Sequence, residues 1–143
     1  LLGRATSDPD SVLRLMTESS LTPRFQLTGG GGHGIWGPGV TLAIMRRSPP
    51  GVLAIDLANC QHYQNGLAAA AAVACPTLLL VARGDRMTPR RNLPPLESAL
   101  RELQRVDIDD CGHAMMNERP QAVAEELAKF AVASLARLSR PAS

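Results

Sequence analysis

Aromatic side chains are scarce in this chain: one Trp, one Tyr and two Phe make up 3% of its 143 residues. Its interior must therefore be built from Leu, Val, Ile and Ala. Cysteine is scarce as well. Cys60, Cys75 and Cys111 are odd in number, so at least one stays unpaired, which excludes a fully disulfide-stapled scaffold and suits a reducing compartment. No run of about 18 apolar residues occurs, which excludes a membrane-spanning helix of ordinary length. An excess of charge is missing too: the net charge is +2 and the arginines are scattered rather than striped. Neither nucleic acid nor an anionic membrane is expected as a partner. The start, Leu1-Leu2-Gly3-Arg4, carries no initiator Met and no signal-peptide pattern, so the expectation is a cytoplasmic piece of a longer protein.

What is present suits a folded domain, with 45% hydrophobic and 20% charged residues. A helix is expected over residues 7 to 20, capped by Ser7 or Asp8, with Pro9 in its first turn and Val12, Leu13, Leu15 and Met16 as its apolar stripe. The glycine-rich stretch Gly29–Gly34 follows no strand and lacks a Lys-Ser/Thr pair, so it reads as a loop rather than a phosphate cradle. Helices are expected over 39 to 47 and 51 to 63, parted by Pro49-Pro50, and in the alanine-rich run 66 to 74.

The pattern changes at Cys75-Pro76. Thr77 to Ala82 is an unbroken apolar run, the signature of a strand covered on both faces in a parallel sheet. Leu96 to Leu103 reads as a helix, Val106 and Ile108 mark a shorter second strand, and Pro120 opens a long helix. In that helix Val123, Leu127, Phe130, Ser134 and Leu138 recur at helical spacing. The expected class is α/β, with a helical region over 1–70 and a strand–helix–strand–helix unit over 71–143.

In an open parallel sheet, reactive groups sit just beyond the carboxyl ends of the strands. Asp85 and His113 both occupy that position, one after each expected strand. A histidine working as a base needs an acceptor on one ring nitrogen, and a carboxylate is the usual one. The plain alternatives are an Asp that only caps the next turn and a Gly-His pair that is only a turn.

These residues resemble the C-terminal end of the α/β-hydrolase superfamily, with Pro76-Thr77-Leu78, Asp85 with Pro89, Gly112-His113, and Glu118 with Pro120 standing in its motif. The likeness covers residues 75 to 133 and extends more weakly to Gly51–Cys60, which is similar to the lid segment of some bacterial members. It implies that Asp85 is the triad acid and His113 the general base, in the chain order Ser, Asp, His. It also implies hydrolysis of an ester, amide or related carbonyl compound without a cofactor, and the small and aliphatic residues of the lid region add the expectation of an apolar small-molecule substrate.

Three departures stand out. Ala82 replaces a usual Gly three residues before the acid, Pro94-Pro95 interrupts a usually continuous helix, and Gly-x-Ser-x-Gly is absent. Ser48 precedes a Pro pair, while Ser98 and Ser134 fall inside expected helices, so the nucleophile is expected upstream of residue 1. Two alternatives follow. One is a catalytically inert fragment or interaction module that self-associates through an exposed sheet edge. The other is a superfamily member with an altered nucleophile, working as a lyase or cofactor-free peroxidase.

Remaining polar residues receive local readings. Asp110 is a competing partner for His113, Asp107 a solvated strand residue, and Glu118 a complement to the amino end of the final helix. Trp36, Ile35 and Met45 are candidates for an apolar pocket wall or for plain packing. Cys60-Gln-His62 with Cys111-Gly-His113 offers four zinc-type ligands, but the one-residue spacing within each pair is too short for a usual structural site.

Overall fold

The computed structural model describes residues 1–28 and 36–138. Among the described residues, five helices come first: α1 (Leu2–Ser7), α2 (Pro9–Ser20), α3 (Pro23–Thr28), α4 (Gly37–Met45) and α5 (Val52–His62). Asp8 separates the first two. Its side chain accepts the Ser11 N–H at 3.2 Å while Pro9 opens α2, so the helix expected over 7 to 20 is α2 with Asp8 as its cap, and α1 precedes it. Val12, Leu13 and Thr17 point inward from α2, whereas Leu15 is 43% exposed and leaves the expected stripe. α2 packs against α1 and α4, and α1 packs against α5, in a helical layer whose buried residues include Ala5, Leu21 and Leu42. Burying an aliphatic side chain such as Val12 contributes about 1.5–3 kcal/mol.

A sixth helix, α6 (Gly66–Ala71), leads into β1 (Thr77–Ala82). A 3-10 turn at Arg90–Asn92 and the short helix α7 (Pro94–Ala99) then cross to β2 (Leu103–Ile108). The expected helix over 96 to 103 is thus displaced. Pro94 and Pro95 form its first turn, where their missing N–H groups cost nothing, and Leu103 already belongs to the strand. The strands are parallel, from Thr77 opposite Leu103 to Ala82 opposite Ile108. Each has one strand neighbour among the described residues, and the first four residues of β1 remain half-buried.

After β2 come α8 (Met115–Glu118) and α9 (Pro120–Leu138), and α9 lies against both strands. Its Val123 is buried and Phe130 and Ser134 half-buried, but Leu127 is 50% exposed; the Leu138 side chain lies outside the described residues. Ala82, Ile108 and Cys111 form the core under the strand ends, with Val106, Met115 and Ala122 against it. The Gly29–Gly34 stretch and Ile35 also lie outside the described residues. Among the described residues, no helix is long and apolar enough to cross a membrane.

Candidate active site

Because Ala82 and Ile108 are register partners, the turns after β1 and β2 leave the sheet at the same level. Backbone bonds continue the pairing beyond the strands. The Arg83 N–H donates to the Ile108 carbonyl at 3.1 Å, and the Gly84 N–H to the Cys111 carbonyl at 3.0 Å. At Gly84 a Cβ would stand 2.8 Å from that same Cys111 oxygen, so only glycine lets the two turns approach so closely.

Asp85 and His113 meet on these turns, with Asp85 Oδ2 3.0 Å from His113 Nδ1. The Asp85 side chain is only 8% exposed and that of His113 is 42% exposed. The carboxylate divides its work. Oδ1 accepts the N–H groups of Met87 and Thr88, each at 2.8 Å, which is the plain turn-capping role. Oδ2 accepts the Thr88 hydroxyl at 2.5 Å as well as the imidazole. Burial by itself would raise the pKa of this carboxyl. The Thr88 hydroxyl and N–H, the imidazole and the Met87 N–H outweigh that burial and hold it below the ordinary value. An ionised carboxylate can only accept, so it holds the proton on His113 Nδ1 and leaves Nε2 as the basic nitrogen.

Two residues of this site escaped the sequence reading. Thr88 bonds Asp85 and also lies 3.3 Å from His113 Nδ1. Its spacing of three from Asp85 is that of an Asp-initiated turn, which could have signalled it. Glu118 was expected to serve the final helix. Instead its Oε1 accepts the N–H of Gly112 at 2.9 Å and the N–H of Thr22 at 3.1 Å, while Oε2 accepts the Thr22 hydroxyl. No local pattern could reveal a bond spanning 96 residues. Thr22 in turn accepts the Phe25 N–H at 3.3 Å and so caps α3, a helix the sequence reading missed although Thr22-Pro23 is an ordinary start signal.

The other candidates fall elsewhere. Asp110 pairs with Arg119 at 3.2 Å rather than with His113, and adopts φ 51, a left-handed conformation that Asp tolerates better than most residues. Asp107 is half-buried and bound to Arg105 at 2.9 Å instead of simply solvated. Trp36 is 63% exposed, and the Met45 sulfur lies 3.6 Å from the Thr17 hydroxyl. Cys60 is exposed and Cys111 fully buried. Among the described residues, no group of three or more His, Cys, Asp or Glu side chains is placed to hold a metal, so the Cys60–His62 and Cys111–His113 pairs do not converge. Burial pushes the Cys111 thiol up to about 11, leaving it protonated and unreactive near neutrality.

Solved structures give the fold its class. An esterase from Thermogutta terrifontis, solved with malate bound, matches with a TM-score of 0.73 at 22% identity, over 93% of this chain and 47% of its own. Est816, described as an N-acyl homoserine lactone degrading enzyme, matches at 0.66 and 18%, over 90% and 50%. MGS-M2, an alpha/beta hydrolase enzyme from a Medee basin deep-sea metagenome library, matches at 0.64 and 18%, over 90% and 49%. No family model and no curated protein sequence matches. The chain has the α/β-hydrolase fold, in the C-terminal portion expected from its sequence. It spans about half the length of these three structures.

Proposed function

We propose that the protein hydrolyses an ester, amide, lactone or related carbonyl substrate by a Ser-Asp-His mechanism. In this reading the chain supplies Asp85 and His113, and residues outside it supply the nucleophile and the oxyanion donors. The supporting observation is the 3.0 Å contact between the Asp85 carboxylate and His113 Nδ1 at the ends of two parallel strands. With its Nδ1 proton held by Asp85, the imidazole takes the nucleophile's proton on Nε2 and returns it to the leaving group. Asp85 steadies the imidazolium that forms between those two steps. Residues 1–70 act as a cap over an apolar small-molecule pocket, and the reaction calls for no cofactor. The esterase and lactone-degrading descriptions of the matched structures favour this substrate class. The test is turnover of short-chain aryl esters by the full-length protein. His113→Ala should lower kcat by roughly 10³-fold or more, and unchanged turnover would sink the assignment.

A second reading, a non-enzymatic module that self-associates, draws on Leu127 at 50% and Val132 at 68% exposure on α9, beside half-buried β1. Sedimentation of the 143-residue chain tests it. A monomer at micromolar concentration, or ester turnover by this chain that Asp85→Asn abolishes, rules it out.

A further inference from the structure

The last turn of α2 and the residues that link it to α3, Glu18–Thr22, touch both turns that carry the candidate relay. On the acid side, Arg86 Nη2 donates to the Glu18 carbonyl and lies 3.4 Å from that of Leu21, and the Ser20 hydroxyl stands 2.9 Å from the Met87 sulfur. On the histidine side, the Ala114 N–H donates to the Ser20 carbonyl at 2.9 Å. The amides flanking His113, those of Gly112 and Ala114, are therefore both claimed: one by Glu118, the other by Ser20. A Cβ on Gly112 would lie 2.8 Å from the Ser20 oxygen and 3.0 Å from Glu118 Oε1, so the link and the turn are in direct apposition.

We infer that Glu118 is a positioning residue for His113, fixing the imidazole by tying Gly112 to Thr22 and so to the helical layer. A carboxylate suits the task because it accepts several bonds at once. Here two backbone N–H groups and one hydroxyl converge on it from segments that share no secondary structure. Without it, the amide before His113 loses its acceptor, and the turn is tied to the helical layer only through Ala114. Glu118 does not reach the imidazole. Its effect passes through the backbone.

This inference rests on the hydrolase reading for its kinetic arm, and a spectroscopic arm stands apart from that reading. In the full-length protein, Glu118→Ala should lower kcat on an aryl ester about 10- to 100-fold with KM little changed, the size expected for a displacement near 1 Å. Glu118→Gln should restore most of the activity, since its amide oxygen can accept the same N–H groups and its NH₂ can face the Thr22 hydroxyl. The ¹⁵N-resolved Nδ1–H signal of His113 should broaden in Glu118→Ala and persist in Glu118→Gln. Thr22→Val, which removes the hydroxyl and keeps the N–H, should lie between these variants by both measures and serves should Glu118→Ala fail to fold. Wild-type kcat and Nδ1–H signal in folded Glu118→Ala, or in Thr22→Val where only that variant folds, would overturn the inference. If no ester is turned over at all, the hydrolase reading fails, and the Nδ1–H signal still decides whether Glu118 orders His113.

Discussion

Oδ2 of Asp85 and Nδ1 of His113 lie 3.0 Å apart across 28 residues of chain, and Thr88 Oγ1 stands within reach of both. The three atoms form a closed triangle rather than a simple pair. The Thr88 hydroxyl fixes Oδ2 from one side while two backbone N–H groups fix Oδ1, so the carboxylate cannot swing away from the ring.

Asp85 and Asp110 should therefore separate cleanly in the full-length protein. Asp85→Asn is expected to lower ester turnover by roughly 10³- to 10⁴-fold, because the amide favours the wrong tautomer of the imidazole. Asp110→Asn, which disturbs only a surface pair with Arg119, should stay within about threefold of wild type, as exposed ion pairs contribute little. Steady-state kinetics on one aryl ester decides between them, and equal losses would return Asp110 to the site.

The same carboxyl makes stability depend on acid. Its folded-state pKa is depressed below the ordinary 3.8, so its contribution is present above that value and lost as pH falls through the folded pKa. The Tm advantage of wild type over Asp85→Asn should hold from pH 7 down to about 4 and shrink below it. Thermal melts across that range check the sign. An advantage that grew on acidification would contradict it.

Glycine substitutions should divide by position. Gly84→Ala and Gly112→Ala each drive a Cβ to 2.8 Å from a carbonyl oxygen and are expected to cost about 1–3 kcal/mol. Gly3→Ala meets nothing within 4 Å inside α1 and should stabilise by roughly 0.5–1 kcal/mol, since alanine loses less entropy in a helix. Denaturant midpoints for the three variants give the comparison.

Thiol labelling should read out the buried core. Cys60 and Cys75 are exposed and should react at pH 8, while Cys111 should react only after unfolding. Mass spectrometry of the native 143-residue chain should show two adducts. A third would mean that the strand-end core opens readily.

The sequence made the Asp85–His113 pair legible because each partner follows a strand whose apolar run can be recognised locally. Thr77–Ala82 stands where expected, and Asp85 and His113 are brought together by the parallel register. Helix edges were harder to place. Alanine propensity would carry α6 to residue 74, but it ends at Ala71, and the Pro94-Pro95 pair opens a helix expected to begin only at Leu96. Glu118 was misread for a different reason. A carboxylate beside a helix start has an ordinary local explanation, and nothing near it in sequence names Thr22 as its partner. Long-range polar ties leave no periodic trace.

The Glu18–Thr22 link bears on how this fold can be recombined. Its contacts to Arg86, Met87, Gly112, Ala114 and Glu118 are made largely by backbone carbonyls and amides, which any residue would supply in the same conformation. A chimera that imports another protein's helical layer must therefore reproduce the path of these five residues. A graft joined before Glu18 keeps the native link and inherits a docked seam; one joined after Thr22 must reinvent it.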